Sequence, residues 1–123
     1  MVGLRTGLEA ATTYNTSVGN YCDGSIRSFA QSLMAGVDQG LSLGLGADLN
    51  GFITQMKPRC YPDNDPATQD IQRKGLAHVG LLPQLVQDLH NIGVPQQYID
   101  HLDSSAERFV VMWERAENIA ANN

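Results

Sequence analysis

The chain has 123 residues, 42% of them hydrophobic and 17% charged, which suits one domain with a packed core and excludes a disordered tail. Thirteen acidic residues against eight basic ones leave a net charge of -5, so no electrostatic footprint for a nucleic acid backbone exists. No run approaches the roughly 18 to 20 apolar residues of a spanning helix, and the opening MVGLRTGLEA lacks the basic-then-apolar layout of a secretory leader, so a cytoplasmic protein without membrane contact is expected.

Residues 1 to 23 mix Gly3, Gly7, Thr12, Thr13, Asn15, Thr16, Ser17, Gly19 and Asn20 without a sustained apolar period, and read as an irregular segment with at most one short element. Cys22 and Cys60 do not form a CxxC pair; in a reducing compartment two unpaired thiols are the expectation, with a mutual bridge the alternative. From Ser25 onward Ile26, Phe29, Ala30, Leu33, Met34 and Val37 recur at three and four residues, which predicts a helix over 24–38 with these side chains on one face. Asp23 or Ser25 can cap it, and Gly40 stands where a left-handed residue closes a helix.

Leu41, Leu43 and Leu45 then alternate with Ser42, Gly44 and Gly46, which predicts a buried strand whose glycine face allows close packing. Asp48 lies at its C-terminal end, where α/β folds collect their chemistry, and can take a proton from an attacking water; in Asp48-Leu-Asn-Gly51 it is equally a turn former. The Gly44–Gly51 stretch has neither phosphate-loop layout. Residues 51 to 75, with Pro58, Pro62, Asp63, Asn64, Asp65 and Pro66, read as a long surface loop.

The remainder, 76–120, reads as helices. Pro83 suits a first turn, Leu85, Val86 and Leu89 form a stripe, and Gly93 closes it; Pro95 opens a short helix carrying Tyr98, Ile99 and Leu102. Ser104-Ser-Ala-Glu107 has the pattern of a capping box ahead of a last helix with Ala106, Phe109, Val110, Trp113, Ala116 and Ala120 on one side. Met112 and Trp113 are expected in the core. His78, His90 and His101 have no metal-ligand spacing, and His90 and His101, near helix ends, are expected to be structural.

The segment Leu43-Gly-Leu-Gly-Ala-Asp-Leu-Asn-Gly51 resembles the last barrel strand of the membrane dipeptidase family, zinc peptidases of the amidohydrolase superfamily. Gly75-Leu-Ala-His-Val-Gly-Leu-Leu-Pro83, Leu85-Val-Gln-Asp-Leu89, Gly93-Val and Ser105-Ala-Glu-Arg-Phe-Val-Val-Met-Trp113 are similar to the C-terminal tail of that family's bacterial branch. The resemblance implies that Asp48 is the proton-handling strand-end carboxylate and that Arg59 and His78 belong to a substrate-binding region. Ala47 and Leu49 depart from the family's usual Ser or Thr and Phe. The H-x-D pair and the other ligands that hold zinc in the family are missing, and an eight-stranded barrel needs about 200 or more residues. Zinc is therefore expected only where another chain completes the site.

The expected fold is mostly α with one or two short strands, either as a partial (β/α) barrel fragment beginning at Met1 or as the same residues rearranged into a helical domain. A barrel strand stripped of its neighbours exposes unpaired backbone and apolar side chains, which calls for a cover. The leading expectation is a non-catalytic, self-associating homo-oligomer. A split zinc dipeptidase completed by a complementing chain and a small-molecule binding module using Asp48, Arg59 and His78 are the alternatives.

Overall fold

The computed structural model describes residues 1–5, 12–46, 56, 75–77 and 79–122. Among them are a two-stranded parallel sheet and four helices, the mostly α architecture with short strands that the sequence implies. Strand β1 (Val2–Arg5) runs beside strand β2 (Leu43–Gly46), with Val2 opposite Leu43 and Arg5 opposite Gly46. Helix α1 (Ile26–Asp38) connects them in sequence, as a parallel pair requires a crossover.

Helix α1 begins and ends where its local chemistry dictates. Ser25 has extended backbone angles, and its hydroxyl accepts from the N–H groups of Arg27 and Ser28 at 3.2 and 3.4 Å, satisfying donors that have no partner inside the helix. At the other end Gly40 takes φ 78, the Leu41 N–H donates to the Gly36 carbonyl, and the Gly40 N–H donates to the Val37 carbonyl. This is a Schellman closure, and glycine adopts its left-handed backbone without a Cβ penalty. The predicted stripe is the core: Ile26, Phe29, Ala30, Leu33 and Met34 are fully buried.

The segment ahead of α1 is more ordered than its composition suggests. The buried Gln31 side chain accepts from the backbone N–H groups of Tyr14 and Asn15 at 2.8 and 2.6 Å and donates to the Asn15 carbonyl at 3.2 Å. One glutamine thereby supplies the pairing that a neighbouring strand would otherwise give. A short element of the kind allowed for within 1–23 is present as β1, whose four residues become a strand only through pairing with β2. The expectation of unpaired thiols is overturned at Cys22, which is disulfide-bonded; Cys60 lies outside the described residues.

After a 3-10 turn (Val79–Leu81), helix α2 (Leu82–Asn91) has Pro83 in its first turn, where no N–H is required, and buries Leu85 and Leu89. Gly93, at φ 89, closes it with a second Schellman pair, and the flanking Val94 and Leu89 are both buried. Helix α3 (Gln96–Asp103) adds Tyr98, Ile99 and Leu102 to the core, and helix α4 (Ser105–Ala121) follows after one residue. That residue corrects the capping-box expectation. Ser104 ends α3 and precedes α4 with near-helical φ -83 and ψ 7, and its hydroxyl makes no cap to α4. It donates instead to the His101 carbonyl and accepts from Arg108. A cap needs extended backbone at the first position, which a residue shared by two helices does not have.

Sheet and helices form layers around β2. A Cβ built on Gly36 of α1 would lie 2.6 Å from Leu43 Cδ1, so α1 sits directly on the leucine face of the strand. On the opposite face a Cβ on Gly44 would lie 3.6 Å from the Ser105 Cβ, which places the start of α4 against the glycine face. The alternation of large and absent side chains in the strand thus sets two different approach distances.

Candidate association surface

Asp48, Arg59 and His78, the residues assigned chemistry from the sequence, lie outside the described residues. Among the described residues no group of three or more His, Cys, Asp and Glu side chains lies together, and no helix is long and apolar enough to cross a membrane. The feature that calls for a functional explanation is α4.

The first turn of α4 is tied to β2 from two directions. His101, in the last turn of α3, accepts at Nε2 from the Leu43 N–H at 3.1 Å, and Arg108 donates to the Leu43 carbonyl and, at 3.1 Å, to the Ser42 hydroxyl. One residue of the strand therefore has both backbone groups held by helical side chains. Burial, with the Arg108 charge second, holds the His101 imidazole below the ordinary histidine range. It serves as a neutral acceptor rather than as a cation at a helix end. His90 is exposed in the last turn of α2.

Beyond that turn α4 is exposed to solvent while still bordering the sheet, with the Met1 amino group 3.7 Å from Met112 Sδ. None of its 17 residues is buried. The expectation that Met112 and Trp113 belong to the core is overturned: Trp113 is 56% exposed, Phe109 48% and Met112 38%. The predicted one-sided pattern is nevertheless real. Ala106, Phe109, Trp113, Ala116 and Ala120 follow spacings of three and four residues, the a and d positions of a heptad, and all five are exposed. Met112 and Ile119 flank this seam on one side and Val110 and Glu117 on the other, whereas Glu107, Arg108, Glu114 and Arg115 fall at the outer b and c positions. The rings of Phe109 and Trp113 stack one turn apart, with centroids 6.4 Å apart and planes 29° apart, which stiffens the apolar ridge.

A groove of about 680 Å³ runs along the side of α4 next to the sheet and is lined by Met1, Ser42, Val111, Met112, Arg115 and Ile119, among others. It is mainly apolar, with the Arg108 and Arg115 guanidinium groups at its wall. The seam was legible as a period in the sequence. The groove was not, because it joins residues at opposite ends of the chain.

Comparison with protein-family models, with curated proteins and with solved structures finds no match to this chain.

Proposed function

We propose that this protein is a non-catalytic, self-associating module in which a second copy covers the apolar face of α4. The observation that carries this reading is a 17-residue helix with no buried residue and with Phe109, Val110, Met112, Trp113 and Ile119 exposed. Helices in proteins gain most of their stability from packing an apolar face. The exposed fractions correspond to on the order of 500 Å² of apolar surface per copy, at the upper end of what a monomer displays. Two copies would remove on the order of 1,000 Å² from water, the lower bound for a specific interface. At about 25 cal/mol per Å² this is roughly 25 kcal/mol gross, larger than the roughly 4 to 15 kcal/mol that association costs.

Descent from a dipeptidase-like barrel belongs to the same reading and rests on the residue matches at Leu43–Gly51 and Gly75–Pro83. It explains why a strand with a glycine face survives in a chain lacking the family's metal ligands. Zinc chemistry would require a complementing chain. Binding of a small molecule is a second reading, favoured by the groove along α4, whose volume is in the range of ligand sites.

Sedimentation equilibrium between about 1 and 100 µM tests the leading reading. The wild-type chain is expected as a dimer or larger assembly, and Trp113→Glu as a monomer with unchanged helicity. A wild-type monomer across the whole range overturns it.

A further inference from the structure

The arrangement of residues along α4 says how the second copy sits, an inference that rests on the self-association reading above. The seam is not uniform. Its two large side chains, Phe109 and Trp113, come first after Ala106, and its later positions are Ala116 and Ala120. Two copies placed parallel and in register would bring aromatic rings together in one half and alanines together in the other. Straight helices cannot satisfy both, because interaxial distance follows side-chain size over roughly 8 to 10 Å. The alanine half would then hold a void.

Antiparallel packing gives layers in which an a position faces a d position. Two registers overlap most of α4. One sets Phe109 against Trp113 and Ala106 against Ala116, again separating large layers from small ones. The other sets Trp113 against Ala116 of the second copy and Phe109 against Ala120 of the second copy, and twofold symmetry repeats both. Every one of these four layers has one large and one small side chain, so the helices keep one distance along their length and interdigitate.

We infer that the protein dimerises through antiparallel α4 helices in this second register, with each copy's Phe109–Trp113 ridge seated over the Ala116–Ala120 end of the other. The occupant is a second copy because the seam complements itself when reversed. Charge agrees with this choice: two arginines and three glutamates on α4 nearly balance, and only Glu117 borders the seam. Its methylene stem lies beside Val110 of the second copy, leaving the carboxylate in water.

A size exchange tests the register. Trp113→Ala leaves alanine against alanine, and Ala116→Trp sets tryptophan against tryptophan, so each variant alone is expected to dimerise at least tenfold more weakly than wild type. Mixed in equal amounts they restore one large and one small side chain in both central layers, and native mass measurement should find the heterodimer with a Kd within a few-fold of wild type. Both positions are exposed on the free chain, so circular dichroism should show the same helix content in both variants. Trp113 is the single tryptophan, and in the wild type its emission should shift to the blue as the chain is concentrated.

A wild-type dimer whose variants are not rescued by mixing overturns the register and leaves self-association standing. A wild-type dimer that persists undiminished in Trp113→Ala shows that another surface pairs, and a wild-type monomer overturns both readings.

Discussion

The Nε2 atom of His101 accepts a hydrogen bond from the Leu43 N–H at 3.1 Å, so a side chain near the end of α3 completes the backbone pairing of β2 across 58 positions of sequence. The bond requires a neutral ring with its proton on Nδ1. Protonation would place an N–H against an N–H, beside the Arg108 guanidinium that already holds the Leu43 carbonyl.

This bond makes stability fall on acidification. The folded-state pKa of His101 is lowered, so the unfolded chain takes up a proton first, near its usual value of about 6.5. The contribution is complete above about pH 6.5 and is lost as pH falls through the folded-state value. Urea melts at pH 7.5 and at pH 5.5 should differ in the wild type and differ less in His101→Ala. That substitution leaves the Leu43 N–H without its partner and is expected to cost about 1 kcal/mol at pH 7.5. An equal pH response in the variant would place the titrating group elsewhere.

Asp38, at the end of α1, accepts from two tyrosine hydroxyls: Tyr14 at 2.7 Å, and Tyr98 at 2.9 and 3.1 Å. A carboxylate is disfavoured at a helix C-terminus, and these donors offset that. The same bonds raise the pKa of both phenols, hydrogen bonding to Asp38 being the main cause. Their contribution is complete below about pH 10 and is lost as pH rises through the folded-state values. Ultraviolet titration should show Tyr14 and Tyr98 ionising late, and Asp38→Asn should bring both back toward the ordinary range. Tyr98→Phe, at a buried ring, is expected to cost about 1 to 2 kcal/mol in denaturant melts.

What could be read in the sequence was local. Ser25, Gly40, Pro83 and Gly93 act within a few residues of themselves, and each marks the boundary it was expected to mark. Strand β1 was not readable because Val2–Arg5 owes its form to Leu43–Gly46. The capping box failed for a related reason: the Ser-x-x-Glu spacing says nothing of α3 ending on the same serine. The case of α4 is the most instructive for function. Periodicity puts Phe109 and Trp113 on one face, and no pattern within a helix specifies whether that face meets its own domain or another copy. Asp48, Arg59 and His78 lie outside the described residues, so their expected chemistry gains no geometry.

Cys22 is disulfide-bonded, and the sequence contains one other cysteine, Cys60. A bond within the chain therefore joins 22 to 60, a loop length for which the chain-entropy model gives roughly 3 to 4 kcal/mol. Peptide mapping without reductant should recover the two cysteines in one linked pair from a monomeric band. Dithiothreitol or Cys22→Ser should lower the melting temperature by several degrees. A covalent dimer on the same gel would show that the bond joins two copies instead.

The contact between Gly36 and Leu43 yields the sharpest test of the packing around β2. Replacing a helical glycine by alanine ordinarily stabilises by about 1 kcal/mol. Here the new methyl would lie 2.6 Å from Leu43 Cδ1, and Leu43 is 2% exposed, so the leucine must shift against the groups that bury it. Overpacking of this kind costs about 1 to 3 kcal/mol, so the steric effect exceeds the propensity gain and Gly36→Ala should destabilise, by about 1 kcal/mol net. Leu43→Val removes a methylene at the point of contact. Placed in the Gly36→Ala background it should recover part of the loss, whereas alone it should destabilise. Additive losses in the double variant would mean that α1 does not rest on the strand at this residue.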